Sequence, residues 1–236
     1  AWRVSDVPQI SDEYVGMMAT YDLMTQNQDA MADFEDQGVR YFANFTTGPT
    51  QLLSREPITT LDQLKGKKIR ATGSFYQALS TGTIDGTASY AYVINAYKQY
   101  EVAQNLTTID MGQNIGWGIV MNQRTWSSLT SDQQAMMAEL GRDFTLHLAQ
   151  QMYESRTGVL EKLQAGVDGY TVTVHDGEPA MREALIDAAK EAGMSWVDRA
   201  RDEGLAADAL LEAFNASVAD YRSKLESEGY PWESSN

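Results

Sequence analysis

The strongest candidate for binding chemistry is Arg70, at the end of the run Lys67, Lys68, Ile69, Arg70, Ala71. The run reads as a strand with Ile69 and Ala71 on one face and Arg70 on the other. A guanidinium in that position can hold a carboxylate through two parallel charge-assisted hydrogen bonds. In open α/β sheets, ligands sit outside the carboxyl ends of the strands. On spacing alone, a solvated surface charge is the more ordinary state of an arginine. Arg55, in the run SREPI, is a second candidate, recommended only by its distance in sequence from Arg70.

Other chemistries find little to work with. The chain has no cysteine and two histidines, His147 and His175. Disulfides and thiolate catalysis are excluded, and neither histidine has a neighbour suited to a zinc set. His147 falls within a helical register and reads as structural. There is no G-x-S-x-G, P-loop or G-x-G-x-x-G. The acidic pair Glu35–Asp36 reads as a solvated helix face. A glycosidase carboxylate pair is defined in space, so sequence leaves that alternative open. No metal and no cofactor is therefore expected. The Asn-x-Ser/Thr triplets at Asn44, Asn105 and Asn215 are short enough to arise by chance.

The 236 residues suit one large domain or two lobes, with 43% hydrophobic and 10% aromatic residues, ordinary for a globular protein. No apolar run approaches the ~20 residues that cross a bilayer. Net charge is -15, with 33 acidic against 18 basic residues. Such a field makes nucleic acid and anionic membranes poor partners. Solubility or a saline habitat would each account for it.

Beyond these local readings, LKGKKIR followed by YQALSTGTIDG resembles the solute-binding proteins of tripartite ATP-independent periplasmic (TRAP) transporters, DctP type. That family carries a KG-x-K-I/L-R strand and, later, E-x-Y-x-A-L-x-x-G-x-x-DG. Further matches flank these. DFEDQGVRYFANFTTG and REPITTLDQL lie upstream. YEVAQNLT, MNQRTWSSLTSDQQ and EKLQAGV lie downstream. The resemblance spans roughly Asp29 to Leu225. It implies a two-lobed α/β periplasmic-binding-protein (type II) fold with a long helix shared by both lobes. It also implies a periplasmic receptor, monomeric and not an enzyme, that delivers a small organic anion to the TRAP membrane subunits. If the protein is exported, this sequence is the processed form. The arginine of the family motif pairs with the substrate carboxylate, and Arg70 stands in its place. The residue three past the DG glycine often faces the ligand, and here it is Ser89. Tyr76, Tyr90, Asn114 and Trp117 complete the candidate ligand set. Which acid binds is not legible. An α/β hydrolase using carboxylates and a ligand-sensing signalling domain remain as alternatives.

The resemblance also has gaps. The family opens with a strand–helix–strand unit that has no counterpart before Ala1. It also places a helix and a strand between the KIR strand and the Y-x-A-L helix, where this chain has only Ala71–Phe75. A helix of ten or more residues, at ~1.5 Å rise each, does not fit there. The expectation is a spatial break between Ala71 and Phe75.

The elements follow from periodicity and stops. Leu61–Leu64 reads as one helical turn ended by Gly66, and Tyr76–Ile84 as a helix entering an Asp85–Gly86 turn. Ala30–Phe34 reads as helix and Val39–Phe45 as strand, with Thr46–Pro49 a crossing between lobes. Thr87–Asn105 reads as helix from the spacing of Tyr90, Val93, Ile94 and Tyr97. Asn114–Met121 reads as a strand with Ile115, Trp117, Ile119 and Met121 on one face. Gly116 and Gly118 on the other face suggest close approach, by core side chain or ligand. Ser131–Ala165 reads as one long helix with Met137, Leu140, Phe144, Leu148, Met152, Val159, Leu160 and Leu163 as its apolar stripe, capped by Ser131 with Gln134 and weakened at Gly141 and Gly158. Tyr170–Val174 reads as strand. Glu178–Ala192 and Ala206–Leu225 read as amphipathic helices, and Trp232 anchors the tail. These elements assign 1–46 with 116–154 to lobe one, and 47–115 with 155–236 to lobe two.

Overall fold

The computed structural model describes Val4, Ile10 and residues 12–70, 75–112 and 116–233. The expected break at Ala71–Phe75 and the position of Asn114 lie outside these residues. Two sheets organise the chain. The smaller pairs β1 (Val39–Thr46) antiparallel with β6 (Gly116–Asn122). The larger has the order β3 (Ile69–Arg70), β4 (Gly86–Ser89), β2 (Gln51–Ser54), β5 (Asn105–Thr108), β7 (Thr173–Asp176). In the larger sheet β3 runs parallel to β4 and β5 parallel to β7, while the central β2 opposes its neighbours β4 and β5. The carboxyl ends of four strands thus share one edge.

Strand β2 is buried throughout. Its consecutive residues point to opposite faces, so Leu52 and Leu53 enter two different cores. Leu53 packs with Leu79, Ile84, Ile94, Tyr100, Leu106 and Leu163. Leu52 packs with Ile58, Ile109 and Met181. Helices α3 (Leu61–Leu64), α4 (Tyr76–Ser80) and α5 (Ala91–Ala96) belong to this half. Strand β4 occupies residues expected to start a helix. It is hydrogen-bonded between β3 and β2, and this pairing overrides the helical spacing. Helix α5 then stops at Lys98, which has φ 51. A 3₁₀ turn, Gln99–Glu101, leads into β5.

The other core is built on α1 (Glu13–Gln26), in which all residues but Asp22, Thr25 and Gln26 are buried. A helix apolar on every side shows no stripe in its sequence, which is why periodicity missed it. Tyr14, Val15, Met18 and Leu23 of α1 meet Phe34 of α2 (Gln28–Asp36) and Tyr41 of β1. They also meet Leu210, Phe214, Val218 and Tyr221 of α9 (Ala207–Glu228). Helix α9 therefore packs with the β1–β6 half, although the sequence reading had grouped it with the other sheet. Its apolar stripe was read correctly, but a stripe does not say which sheet it covers. The tail joins the same half, with Tyr230 and Trp232 stacked on each other and edge-on to Tyr14.

Helix α7 (Ser131–Ala165) is unbroken over 35 residues and opens with a capping box on Thr130 and Gln133, one residue before the expected cap. Its amino-terminal half packs on α1 and β1, and Leu163 near its end enters the larger sheet's core. The side turned to β1 is Gly141, Thr145 and Ala149, while Leu140 and Phe144, of the apolar stripe, are 51% and 44% exposed. Small residues win the inner face because the helix backbone comes up against the strand backbone. A side chain at Gly141 would overlap the carbonyl oxygen of Phe42. Helix α6 (Gln123–Ser128) packs on β6 and β1, and after β7 the long α8 (Pro179–Asp202) carries Met181 into the larger sheet's core and then packs on α9. No described helix is long and apolar enough to cross a membrane.

Candidate functional site

Besides the long helices α7 and α8, two short segments connect the halves, and they are tied together. Residues 46–50, between β1 and β2, are all buried. The Thr50 amide donates to the Gly112 carbonyl at 3.1 Å, and the Met111 amide donates to the Thr50 carbonyl at 3.2 Å. The outgoing and returning chains therefore form one ribbon. Against it sits Glu13, fully buried, held by Arg156 of α7 in a forked pair of 2.7 and 3.1 Å. Gly48 lies so close to the Glu13 carboxylate that a β-carbon would overlap it. Removing two charges from water is costly unless the geometry is good and further donors are met. This pair has the fork, and it fixes α1, the crossing and α7 at a single point.

The ribbon enters the larger sheet at its carboxyl edge. There Gln51 receives the Ile109 and Asp110 amides at 2.8 and 3.1 Å and donates to the Asp110 carboxylate at 2.7 Å. Asp110 holds φ 43, uncommon for a residue with a side chain. Arg182 of α8 grips its other oxygen at 2.5 Å. Nothing in the sequence announced this Gln51–Asp110–Arg182 set, because its members come from three separate elements.

Arg70 closes β3 at the same edge, opposite Thr87 of β4, whose hydroxyl donates to the Arg70 carbonyl at 2.8 Å. Its residue is exposed. Ser89 ends β4, opposite Gln51. It is buried and donates its hydroxyl to Gln99 at 2.9 Å. Tyr90 follows as the cap of α5 and stacks on Tyr92 at 5.7 Å. Arg70, Ser89 and Tyr90 are thus brought to one edge, with Ser89 beside the start of the ribbon and Arg70 on the outermost strand.

The remaining candidates go elsewhere. Arg55 follows β2, which runs against its neighbours, and so emerges at the opposite, amino edge of the sheet. Its amide donates to the Asp85 carbonyl just before β4. Distance in sequence could not reveal that reversal. Tyr76 is 41% exposed, and its phenol donates to Glu101 at 2.5 Å, a bond that holds its pKa above the usual phenol value. Trp117 is 63% exposed on one face of β6, and at Gly118, on the other face, a β-carbon would lie 2.6 Å from the Tyr41 ring. The partner of the glycine face is therefore a bulky core side chain. Ile119, two residues on along the same face of β6, is exposed as well. His175 contacts Asn105 at 3.0 Å, and among the described residues no cluster of three or more acidic or histidine side chains could hold a metal ion.

With this geometry in place, comparison with known proteins gives a consistent answer. The profile of the bacterial extracellular solute-binding proteins, family 7 (DctP), matches residues 71–196. A solute-binding protein of Sulfitobacter sp. (strain NAS-14.1) is 31% identical over 216 residues, covering 80% of this chain and 62% of that protein. The chain spans about three fifths of the length of the curated relatives it matches. Among solved structures, a TRAP periplasmic solute-binding protein from Desulfovibrio salexigens superposes with a TM-score of 0.80 at 21% identity, covering 97% of this chain and 74% of that one. Another, from Sulfitobacter sp. NAS-14.1 with bound α-D-taluronate, gives 0.60 at 27% identity, covering 82% and 65%. The mixed α/β architecture with its shared helix is that of the two-lobed TRAP binding proteins. The profile match extends over more than half of the sequence, and the chain belongs to the bacterial extracellular solute-binding proteins of family 7, the DctP family.

Proposed function

We propose that this chain is the ligand-binding part of a periplasmic receptor that captures a small organic acid between its lobes and presents it to TRAP membrane subunits. The observation that carries the reading is the position of Arg70. It ends the outermost strand at the carboxyl edge of the larger sheet, the same edge from which the ribbon leaves for the other lobe, and open α/β folds place their ligands at that edge. One lobe comprises 12–46, 116–154 and the 203–233 segment, and the other comprises 47–112 with 155–190. The ligand carboxylate meets the Arg70 fork, with Ser89 and Tyr90 next to it. The relative from Sulfitobacter holds a sugar acid, and a sugar acid's carboxylate suits the same fork. With a net charge of -15 the protein repels anions at a distance, so attraction must be local and partly desolvated. No step of bond-making is assigned, and the receptor acts as a monomer.

Thermal melting against a panel of organic acids tests the reading. A true ligand at a hundredfold excess over Kd stabilises by RT ln(1 + [L]/Kd), about 2.7 kcal/mol, without turnover. Arg70→Lys keeps the charge and loses the fork. It should weaken the best acid by about 2 kcal/mol, the worth of a charge-assisted bond, and leave the unliganded melting temperature in place. Equal affinities by calorimetry would reduce Arg70 to a surface charge.

A further inference from the structure

At the amino edge of the larger sheet, away from Arg70, a cavity of about 500 Å³ is lined by Arg55, Glu56, Ile58, Lys67, Asp85, Val102 and Gln104. We propose that it is a second, independent binding site, for a small zwitterion carrying one carboxylate and one ammonium group, such as an α-amino acid.

The donor for the carboxylate is Arg55. Its main chain is pinned on both sides, with its amide donating to the Asp85 carbonyl at 3.1 Å and its carbonyl accepting from the Asn105 side chain at 2.9 Å. Its guanidinium extends toward Gly82, where φ is 70 and a β-carbon would stand 2.6 Å from Nη1. A glycine there leaves the guanidinium its room. Among the described residues Arg55 forms no ion pair, in a chain where acidic side chains outnumber basic ones 33 to 18. The neighbouring charges already have protein partners. Lys67 is bound to Glu56 at 3.0 Å, and Asp85 accepts the Lys68 amide at 2.8 Å. The Arg55 fork is the group with bonds left to make, and a carboxylate is its natural partner.

The other walls choose the rest of the guest. Two acids and two bases line the cavity, so its charge sums to zero. A second carboxylate on the guest would face Glu56 and Asp85, whereas an ammonium group would be attracted to them. Gln104 spends its amide on the Tyr100 carbonyl at 2.7 Å and keeps its own carbonyl as an acceptor for an N–H. Ile58 and Val102 supply apolar wall for a short side chain. The volume lies within the range of small-molecule pockets. Because Arg55 and Arg70 emerge at opposite edges, filling one site does not require the other.

The test is an amide-resolved NMR titration of the chain with L-alanine, with succinate as a second probe, on wild type, Arg55→Gln and Arg70→Lys. L-Alanine is expected to give saturable shifts at Gly82, Asp85, Gly86 and Gln104. Arg55→Gln should weaken them roughly tenfold or more, Arg70→Lys should leave them unchanged, and succinate should shift those four amides only at higher concentration than alanine. The proposal is overturned if those amides show no saturable shift. It is also overturned if Arg55→Gln binds alanine as wild type does, if Arg70→Lys abolishes the shifts, or if succinate shifts those four amides at as low a concentration as alanine does.

Discussion

Replacing Arg156 with methionine isolates the worth of the buried pair at the lobe junction. Glu13 is fully buried, and its carboxylate takes both forks of the Arg156 guanidinium at 2.7 and 3.1 Å. Methionine keeps an apolar stem of similar length and gives up the guanidinium's place over the Tyr153 ring, 5.4 Å from its centroid. What remains is a carboxylate in the interior with its counter-charge gone. Breaking a buried pair from one side costs about 3–5 kcal/mol. For a chain of this size 1 kcal/mol moves the melting temperature by roughly 2–4 °C, so the variant should melt about 6–20 °C lower. The double variant Glu13→Met/Arg156→Met removes both charges, and apolar replacement of a whole buried pair is often close to neutral. It should recover most of the loss. Urea unfolding of wild type, single and double variants decides the matter. A single variant within about 1 kcal/mol of wild type, or a double variant as unstable as the single, would refute the claim that an uncompensated charge sets the cost.

Two glycines of α7 should respond in opposite directions. Gly141→Ala pushes a methyl into the Phe42 carbonyl and should destabilise by roughly 1–3 kcal/mol. Gly158→Ala meets open space within a helix and should stabilise by about 0.5–1 kcal/mol; chemical denaturation of each reads the sign directly. Alkaline pH should unfold the protein from about pH 10 upward. Burial is the leading cause raising the phenols of Tyr14, Tyr21, Tyr41, Tyr92, Tyr221 and Tyr230 above their ordinary value. Their contribution is intact below that pH. Above it the unfolded chain releases protons that the folded one keeps, so stability falls as pH rises. A urea midpoint that stays flat from pH 9 to pH 11.5 would contradict this.

The parts legible in the sequence were those whose determinants are local. The stop at Gly66 is visible because it has φ 76, a conformation glycine adopts readily. The stripe of α9, through Leu210, Phe214, Val218 and Tyr221, is visible because it repeats at helical spacing, and all four residues are buried. The misses were set by partners far away in the chain. Strand β4 exists because β2 and β3 flank it. Leu140 and Phe144 face outward because a glycine–threonine–alanine track lets α7 lie on β1. Arg55 and Arg70 part company because β2 runs backward. In the candidate site, Arg70 is proposed from the wording of its strand, whereas Gln51, Asp110 and Arg182 share no motif and meet only through folding.

On the proposed reading, Arg70 binds the ligand but does not by itself close the lobes. A ligand shifts a conformational equilibrium only by its difference in affinity for the two states. Arg70 belongs to the larger sheet, so its bond to a carboxylate is the same with the lobes apart or together. The free energy of closure must come from contacts that the β1–β6 half adds, reached through the ribbon of Thr50, Met111 and Gly112 and the unbroken α7. Two segments cross-bonded to each other cannot pivot separately, so the motion is a rotation of one half against the other, with α7 as the common member. Arg70→Lys should therefore need more acid to saturate, yet contract as far as wild type once it is saturated. Small-angle scattering at calorimetrically proven saturation compares the two radii. If the variant stays at its unliganded radius while the wild type contracts, Arg70 is itself a sensor of closure, and the separation of binding from closing does not hold.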